Sequence, residues 1–88
     1  MAKSKGKYTT NVCGKRIKLA RVEAGLNQLE LATLLNTDFD LRVDQNSISL
    51  LEKGERYVKD FEIIVLANAL NKHPMWILFG DKIPAKFK

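Results

Sequence analysis

With 88 residues, 45% of them hydrophobic, and a formal charge of +5, the chain has material for one small domain with a modest core and a charge balance that favours an anionic partner. The single Cys13 excludes an internal disulfide, and together with His73, the only histidine, it falls short of a metal-ligand set, so neither metal nor cofactor is expected. The opening Met1 to Lys7 has no apolar core behind it and no apolar run approaches the roughly 18 residues of a membrane span, so the expected setting is the cytoplasm, without secretion or membrane insertion.

Residues 1–9 are small, polar and basic and read as a flexible arm, residues 10–80 as the folded domain, and residues 81–88 as a basic tail. Lys3, Lys5, Lys7, Lys82, Lys86 and Lys88 place six of the fifteen basic residues in the two tails with one of the ten acids, Asp81, leaving nine bases against nine acids between them. A central domain without net charge binds DNA only where its cations cluster, so composition alone does not decide the partner. The terminal lysines read as non-specific attraction, by following a groove or only as solubilising charge.

A first helical pattern starts at Thr10 or Asn11 and runs through Val12, Cys13, Ile17, Ala20 and Ala24, with Gly25 as its stop. Asn27 followed by Gln-Leu-Glu predicts a capping box for a second helix, whose inner stripe is Leu31, Ala32 and Leu35. From Asn36 to Val43 the helical period is lost, and a long connection is predicted with Phe39 as its anchor. Asp44 caps a third helix through Lys53, with Ile48, Leu51 and Glu52 inward, Gln45, Asn46, Ser47 and Ser49 outward, and Gly54 closing the end. Asp60 is the predicted cap of a fourth helix carrying Ile63, Leu66, Ala67 and Leu70, which ends at Asn71. His73 and Pro74 open a short fifth helix of Met75, Trp76, Ile77, Leu78 and Phe79. The fold class is therefore all-α, a bundle of five helices.

A helix entering the major groove end-on needs short polar side chains at its first outward positions, and Gln45, Asn46 and Ser47 meet that need. Gln and Asn each accept from adenine N6 and donate to adenine N7, a bidentate contact worth about 1–3 kcal/mol of discrimination, so an adenine preference is expected. The competing reading of Gln45 to Ser49 is the wet face of an ordinary helix.

Gly25-Leu26-Asn27-Gln28-Leu29-Glu30-Leu31-Ala32, Ile48-Ser49-Leu50-Leu51-Glu52-Lys53-Gly54 and the closing Trp76-Ile77-Leu78-Phe79-Gly80 together resemble the lambdoid phage repressor and Cro-like helix-turn-helix family, over Val12 to Gly80. The resemblance implies a lambda-repressor-like bundle in which Gln45, Asn46 and Leu50 face bases, assisted by Ser47 and Ser49. It also implies phosphate contacts from Asn27, Gln28, Lys53, Arg56, Tyr57 and Lys59, the last four being otherwise plain solvated charge or polarity. Arg21 and Glu52 would form a structural ion pair, and Met75, Trp76, Ile77 and Phe79 would pair two subunits, unless Trp76 is simply core.

Two departures from that family stand out. The connection between the second and third helices is about six residues longer than the usual tight turn. Its Asp38 and Asp40 would be repelled by phosphate, so Thr37 to Arg42 is expected to project off the DNA or to meet a partner. Leu50 is apolar where a long polar residue is common, and it either touches a thymine methyl or packs under the connection. The function these readings imply is a sequence-specific regulator of transcription, a repressor of the phage or mobile-element kind at the nucleoid of a bacterial or phage-infected host. Its partners would be double-stranded DNA with an inverted-repeat operator and a second copy of itself. An antitoxin or interaction adaptor on the same bundle is the alternative. No nucleophile–base pair, carboxylate pair in a cleft or phosphate-cradling glycine loop supports an enzyme, so neither a small-molecule substrate nor a catalytic residue is expected.

Overall fold

In a computed structural model, residues 10–87 are described, so the expected arm at 1–9 lies outside the described residues. The elements follow in the order α1 (Gly14–Glu23), α2 (Gln28–Asp38), α3 (Gln45–Glu52), α4 (Asp60–Leu70) and α5 (Pro74–Phe79), with a 3-10 turn at Ala85–Phe87 and no strand among the described residues. Helix α3 packs against α1 and α2, α4 lies across α1 and α2, and α5 lies on α4. No described helix is long and apolar enough to cross a membrane.

Each helix contributes its apolar stripe to one core. Ile17, Leu31, Leu35, Ile48, Leu66 and Ile77 are all less than 2% exposed, and Ala20, Ala32, Leu51, Ile63, Ala67 and Leu70 complete the cluster. Burying a large aliphatic side chain contributes about 1.5–3 kcal/mol, so these six side chains dominate the stability of a domain this small. Cys13, 1% exposed, belongs to the same cluster, and burial pushes its thiol up from the ordinary range despite its own backbone amide and nearby Arg16.

Helix α1 starts at Gly14, later than the apolar pattern predicts. The Asn11 carboxamide oxygen accepts the N–H groups of Cys13 at 3.1 Å and Gly14 at 2.8 Å, which turns the chain before the helix. The same side chain donates to the carbonyls of Leu51 at 3.0 Å and Arg56 at 2.9 Å, tying this turn to the end of α3. Val12 is consequently 48% exposed, and Ala24, at the C-terminal cap, is exposed too, so both leave the expected inner stripe. At the other end Gly25 takes φ +78°, letting Leu26 N–H return to the Arg21 carbonyl at 3.1 Å.

The largest difference lies after Leu35. Helix α2 continues through Asn36, Thr37 and Asp38, because these polar residues satisfy themselves within the helix. Thr33 and Thr37 hydroxyls donate to the carbonyls four residues back at 2.9 Å, and Asn36 donates to Ala32 O at 2.7 Å. The true connection is therefore Phe39 to Asp44. It is an alternating strap: Phe39, Leu41 and Val43 pack on the core, while Asp40, Arg42 and Asp44 are exposed. Asp40 at φ +53° turns the chain out of the helix. Asn36 Nδ2 to Val43 O at 2.6 Å and Leu41 N–H to Leu35 O at 2.9 Å pin the strap to α2.

Two smaller points concern α4 and the tail. The N-cap of α4 is Lys59 rather than Asp60: Glu62, in the first turn, accepts the Lys59 N–H at 2.9 Å, and Asp60 falls inside the helix with its carboxylate on Phe61 N–H. His73 does cap α5, its Nδ1 accepting Met75 N–H at 3.0 Å. Within the basic tail, Phe87 packs on Phe79 with ring centroids 5.8 Å apart and the planes tilted by 50°.

Gly14 sits where α1 crosses the end of α3, and a Cβ there would collide with the backbone carbonyl oxygens of Leu51 and Glu52. Backbone atoms cannot swing aside, so Gly14→Ala is expected to destabilise the domain by about 1–3 kcal/mol, read as a lowered urea midpoint with an unchanged m-value.

Candidate nucleic-acid interface

The outward end of α3 is built by its cap. Asp44 accepts the Ser47 N–H at 2.7 Å, and its hydrogen bonds from Ser47 hold the carboxyl below its ordinary range. Ile48, Leu51 and Glu52 point inward, which leaves Gln45 and Asn46 exposed at the tip. Ser47, Ser49 and Leu50 are half-buried, so of the five residues expected at bases only Gln45 and Asn46 are freely exposed.

The base of α3 is fixed by charge. Arg21 donates to both Glu52 oxygens, at 2.7 and 3.1 Å, and also to the Leu26 carbonyl at 2.8 Å. Arg21 and Glu52 are each 8% exposed, so this is the buried structural pair that the resemblance implies. Gln28 joins it, its Nε2 donating to Glu52 Oε1 at 3.0 Å. One carboxylate thereby links α1, α2 and α3. The expectation of Gln28 as a phosphate contact is corrected accordingly: the side chain is half-buried and its amide is directed into the domain.

Arg56 is corrected for the same reason. Its guanidinium makes a two-pronged contact with Glu62 at 3.0 and 2.9 Å and donates to Tyr57 O at 2.9 Å, so it closes the loop between α3 and α4 instead of standing free for phosphate. Burial pushes the Glu62 carboxyl up, but the Arg56 contact, the Lys59 N–H and the charges of both residues outweigh it and hold the group below its ordinary value. Of the other residues expected at phosphate, Asn27, Lys53, Tyr57 and Lys59 are exposed. Asn27 uses its side-chain Oδ1 to accept Glu30 N–H at 2.7 Å, completing the predicted capping box with Asn27 N–H donating to the Glu30 carboxylate at 2.8 Å.

Ile77 is fully buried in its own core and cannot form part of a pairing surface, a correction to the expected group on α5. Met75 and Trp76 are half-buried, the latter lying on the core under the Lys72 ammonium, and Phe79 is 37% exposed. The open apolar surface lies elsewhere, in a groove of about 800 Å³ lined by Val12, Val58, Phe61, Ile64, Pro74 and Leu78 among others. Its sequence signal was the pair Phe61 and Ile64, three apart on α4 and off that helix's inner stripe. Arg16 also escaped notice: it donates to Ile77 O at 2.7 Å and Leu78 O at 2.8 Å, capping the end of α5 from α1, and no local pattern marks such a contact. No group of His, Cys, Asp and Glu among the described residues could hold a metal ion.

The profile of the helix-turn-helix family of Cro/C1 type matches residues 17–77, most of the chain, and the protein belongs to that family. Among solved structures it is similar to the restriction-modification controller protein C.AhdI from Aeromonas hydrophila, at 31% identity and a TM-score of 0.62, over 73% of this chain and 84% of that one. No curated protein matches. Family and fold together make the chain a DNA-binding regulator of transcription, built as the all-helical bundle that its sequence pattern predicts.

Two tests follow from the buried charges. Arg21→Ala leaves Glu52 buried without its cation and should cost about 3–5 kcal/mol, enough to unfold much of a marginal domain, as read by urea denaturation. For Glu62, a folded-state pKa lowered from its ordinary 4.5 means that its stabilisation is present above that pH and is lost as the pH falls through and below it. Glu62→Gln should therefore be less stable near neutrality and show a shallower loss of thermal midpoint between neutral and acid pH than the parent.

Proposed function

We propose that this regulator reads an inverted-repeat operator as a homodimer, with α3 of each copy end-on in the major groove, and acts as a repressor of the phage or mobile-element kind. The observation that carries the base-reading part is the pairing of a clamped base with a bare tip: Glu52 is held from the two neighbouring helices, α1 and α2, while Gln45 and Asn46 are exposed on the first turn. Both amides reach adenine N6 and N7 in that pose, with Ser47, Ser49 and Leu50 lining the half-buried flank. Asn27, Lys53 and Lys59 are the exposed groups suited to phosphate, where they would set register without reading sequence, whereas Tyr57 lines the apolar groove. The likeness to C.AhdI, a restriction-modification controller protein, suggests the kind of task, control of a restriction-modification system.

The pairing surface we assign is the apolar groove rather than the α5 group. Val12, Phe61, Ile64 and Leu78 are 39 to 53% exposed, so the groove presents several apolar side chains for a second copy to cover. The groove is formed by the turn before α1, the start of α4 and α5, with no residue of α2 or α3, so a second copy seated there leaves Gln45 and Asn46 free. The domain measures 34 × 33 × 21 Å, so two abutting copies can present tips about 34 Å apart, one turn of B-DNA.

An adaptor or antitoxin role is the second reading, and one observation favours it: residues 27–52 carry five acids and one base, an unusual balance for a surface that approaches phosphate.

Selection of duplexes from a random pool at physiological salt with competitor DNA decides between them. The regulator reading expects an inverted repeat, and loss of about 5- to 150-fold in affinity for it on Gln45→Ala or Asn46→Ala. Undiminished binding by both variants would remove the base-reading assignment, and failure to enrich any sequence would favour the adaptor. Ile64→Asp, in sedimentation analysis, is expected to shift a dimer to the mass of one chain without loss of helix signal.

A further inference from the structure

The helix-turn-helix unit from Asn27 to Glu52 contains Glu30, Asp38, Asp40, Asp44 and Glu52, and its one base is Arg42. Four of the acids are already engaged: Glu52 by Arg21, Glu30 and Asp44 in helix caps, and Asp38 by the Thr37 hydroxyl. Arg42 is not. It is exposed on the outer side of the strap, and among the described residues the ion pairs join Arg21 to Glu52, Arg56 to Glu62 and Lys72 to Glu23. Asp40 and Asp44, each two residues away on the same outer side, leave it unpaired.

The position is also a poor one for an arginine on grounds of folding alone. Arg42 lies just before the N-terminus of α3, where the helix dipole disfavours a positive charge. It covers no core, since Phe39, Leu41 and Val43 fill that side of the strap. A free guanidinium held three residues from Gln45, against the dipole, suits an anion arriving from outside along with α3.

We propose that Arg42 binds the DNA phosphate flanking the stretch read by Gln45 and Asn46, making the extended connection a phosphate clamp. This rests on the reading of α3 as the groove-entering helix, and it revises the expectation that the whole Thr37 to Arg42 segment projects off the DNA. The acids and the base divide along the strap: Arg42, nearer α3, meets the backbone, and Asp38 and Asp40 lie toward the α2 end. A guanidinium fork matches two phosphate oxygens at once, and each neutralised phosphate releases counterion and so adds to the salt dependence of binding.

The test compares the parent, Arg42→Ala and Arg42→Lys on the duplex selected by the parent and on an unrelated duplex, between 50 and 200 mM salt. For Arg42→Ala the slope of log affinity against log salt should be shallower by about 0.9, so the parent loses about 3.5-fold more affinity than the variant across that range. Arg42→Lys should keep most of the parent slope. Thermal unfolding of Arg42→Ala should match the parent, since no contact within the domain is removed. Parallel slopes for parent and Arg42→Ala on both duplexes would overturn the clamp, as would a change in the bases selected at unchanged slope, which would make Arg42 a base reader. If the parent selects no sequence, the α3 reading fails by itself, and the slopes on the unrelated duplex still show whether Arg42 touches phosphate.

Discussion

A carboxylate removed from water is costly unless every lone pair finds a donor, and the arrangement of the first three helices is organised around meeting that demand at Glu52. Arg21 brings its fork from α1, and Gln28 brings its amide from the first turn of α2. Because Arg21 also holds the Leu26 carbonyl, the loop between α1 and α2 is drawn into the same set. Rotating α3 about its own axis would break these bonds together and strand a buried charge. The exposed tip of α3 thus owes its direction to a group at the opposite end of the same helix.

That constraint matters more here than in a fold with a tight turn, where a few residues would dictate the angle between α2 and α3. Residues 39–44 could by their length permit many angles. The strap removes that freedom in a different way, through three apolar anchors on alternate residues and two hydrogen bonds back to α2. Alternation is the natural solution for a short extended segment lying on a core, since successive side chains point to opposite sides. It also explains why the charged residues of the connection all face water.

Much of this was legible in the residues, for reasons that are local. The Asn27 capping box, the Asp44 cap, the His73 cap and the inward stripes of α2 and α4 are encoded within one or two turns of chain, where spacing and geometry coincide. The end of α2 was misread because Asn36, Thr37 and Asp38 look like loop residues in a list, whereas in the helix Asn36 and Thr37 donate to carbonyls four residues back and Asp38 accepts from the Thr37 hydroxyl. The start of α1 was misread because Asn11 spends its hydrogen bonds on residues some forty positions away, at Leu51 and Arg56. The same distance hid the Arg56–Glu62 and Arg16–α5 contacts, so that Arg56 looked free when it was not. Ile77 went astray differently: a run of five apolar residues does not say which one turns inward.

The charge distribution separates two tasks that DNA-binding domains often merge. Attraction to duplex DNA in general comes from cations near phosphate, and attraction to one sequence comes from base edges. Here the unit that carries Gln45 and Asn46 holds five acids against Arg42, whereas the tails outside the matched region are strongly basic. In the proposed docking, Asp38 and Asp40 weaken every complex in which α3 approaches a duplex, right sequence or wrong, so the ratio between them rests with the amides. The tails lie apart from α3 in the chain and can add affinity without altering that ratio. On that docking, less of the protein would be held by α3 at sequences it cannot read, and an operator would be occupied because its bases compensate for an approach that the helix-turn-helix charges by themselves oppose.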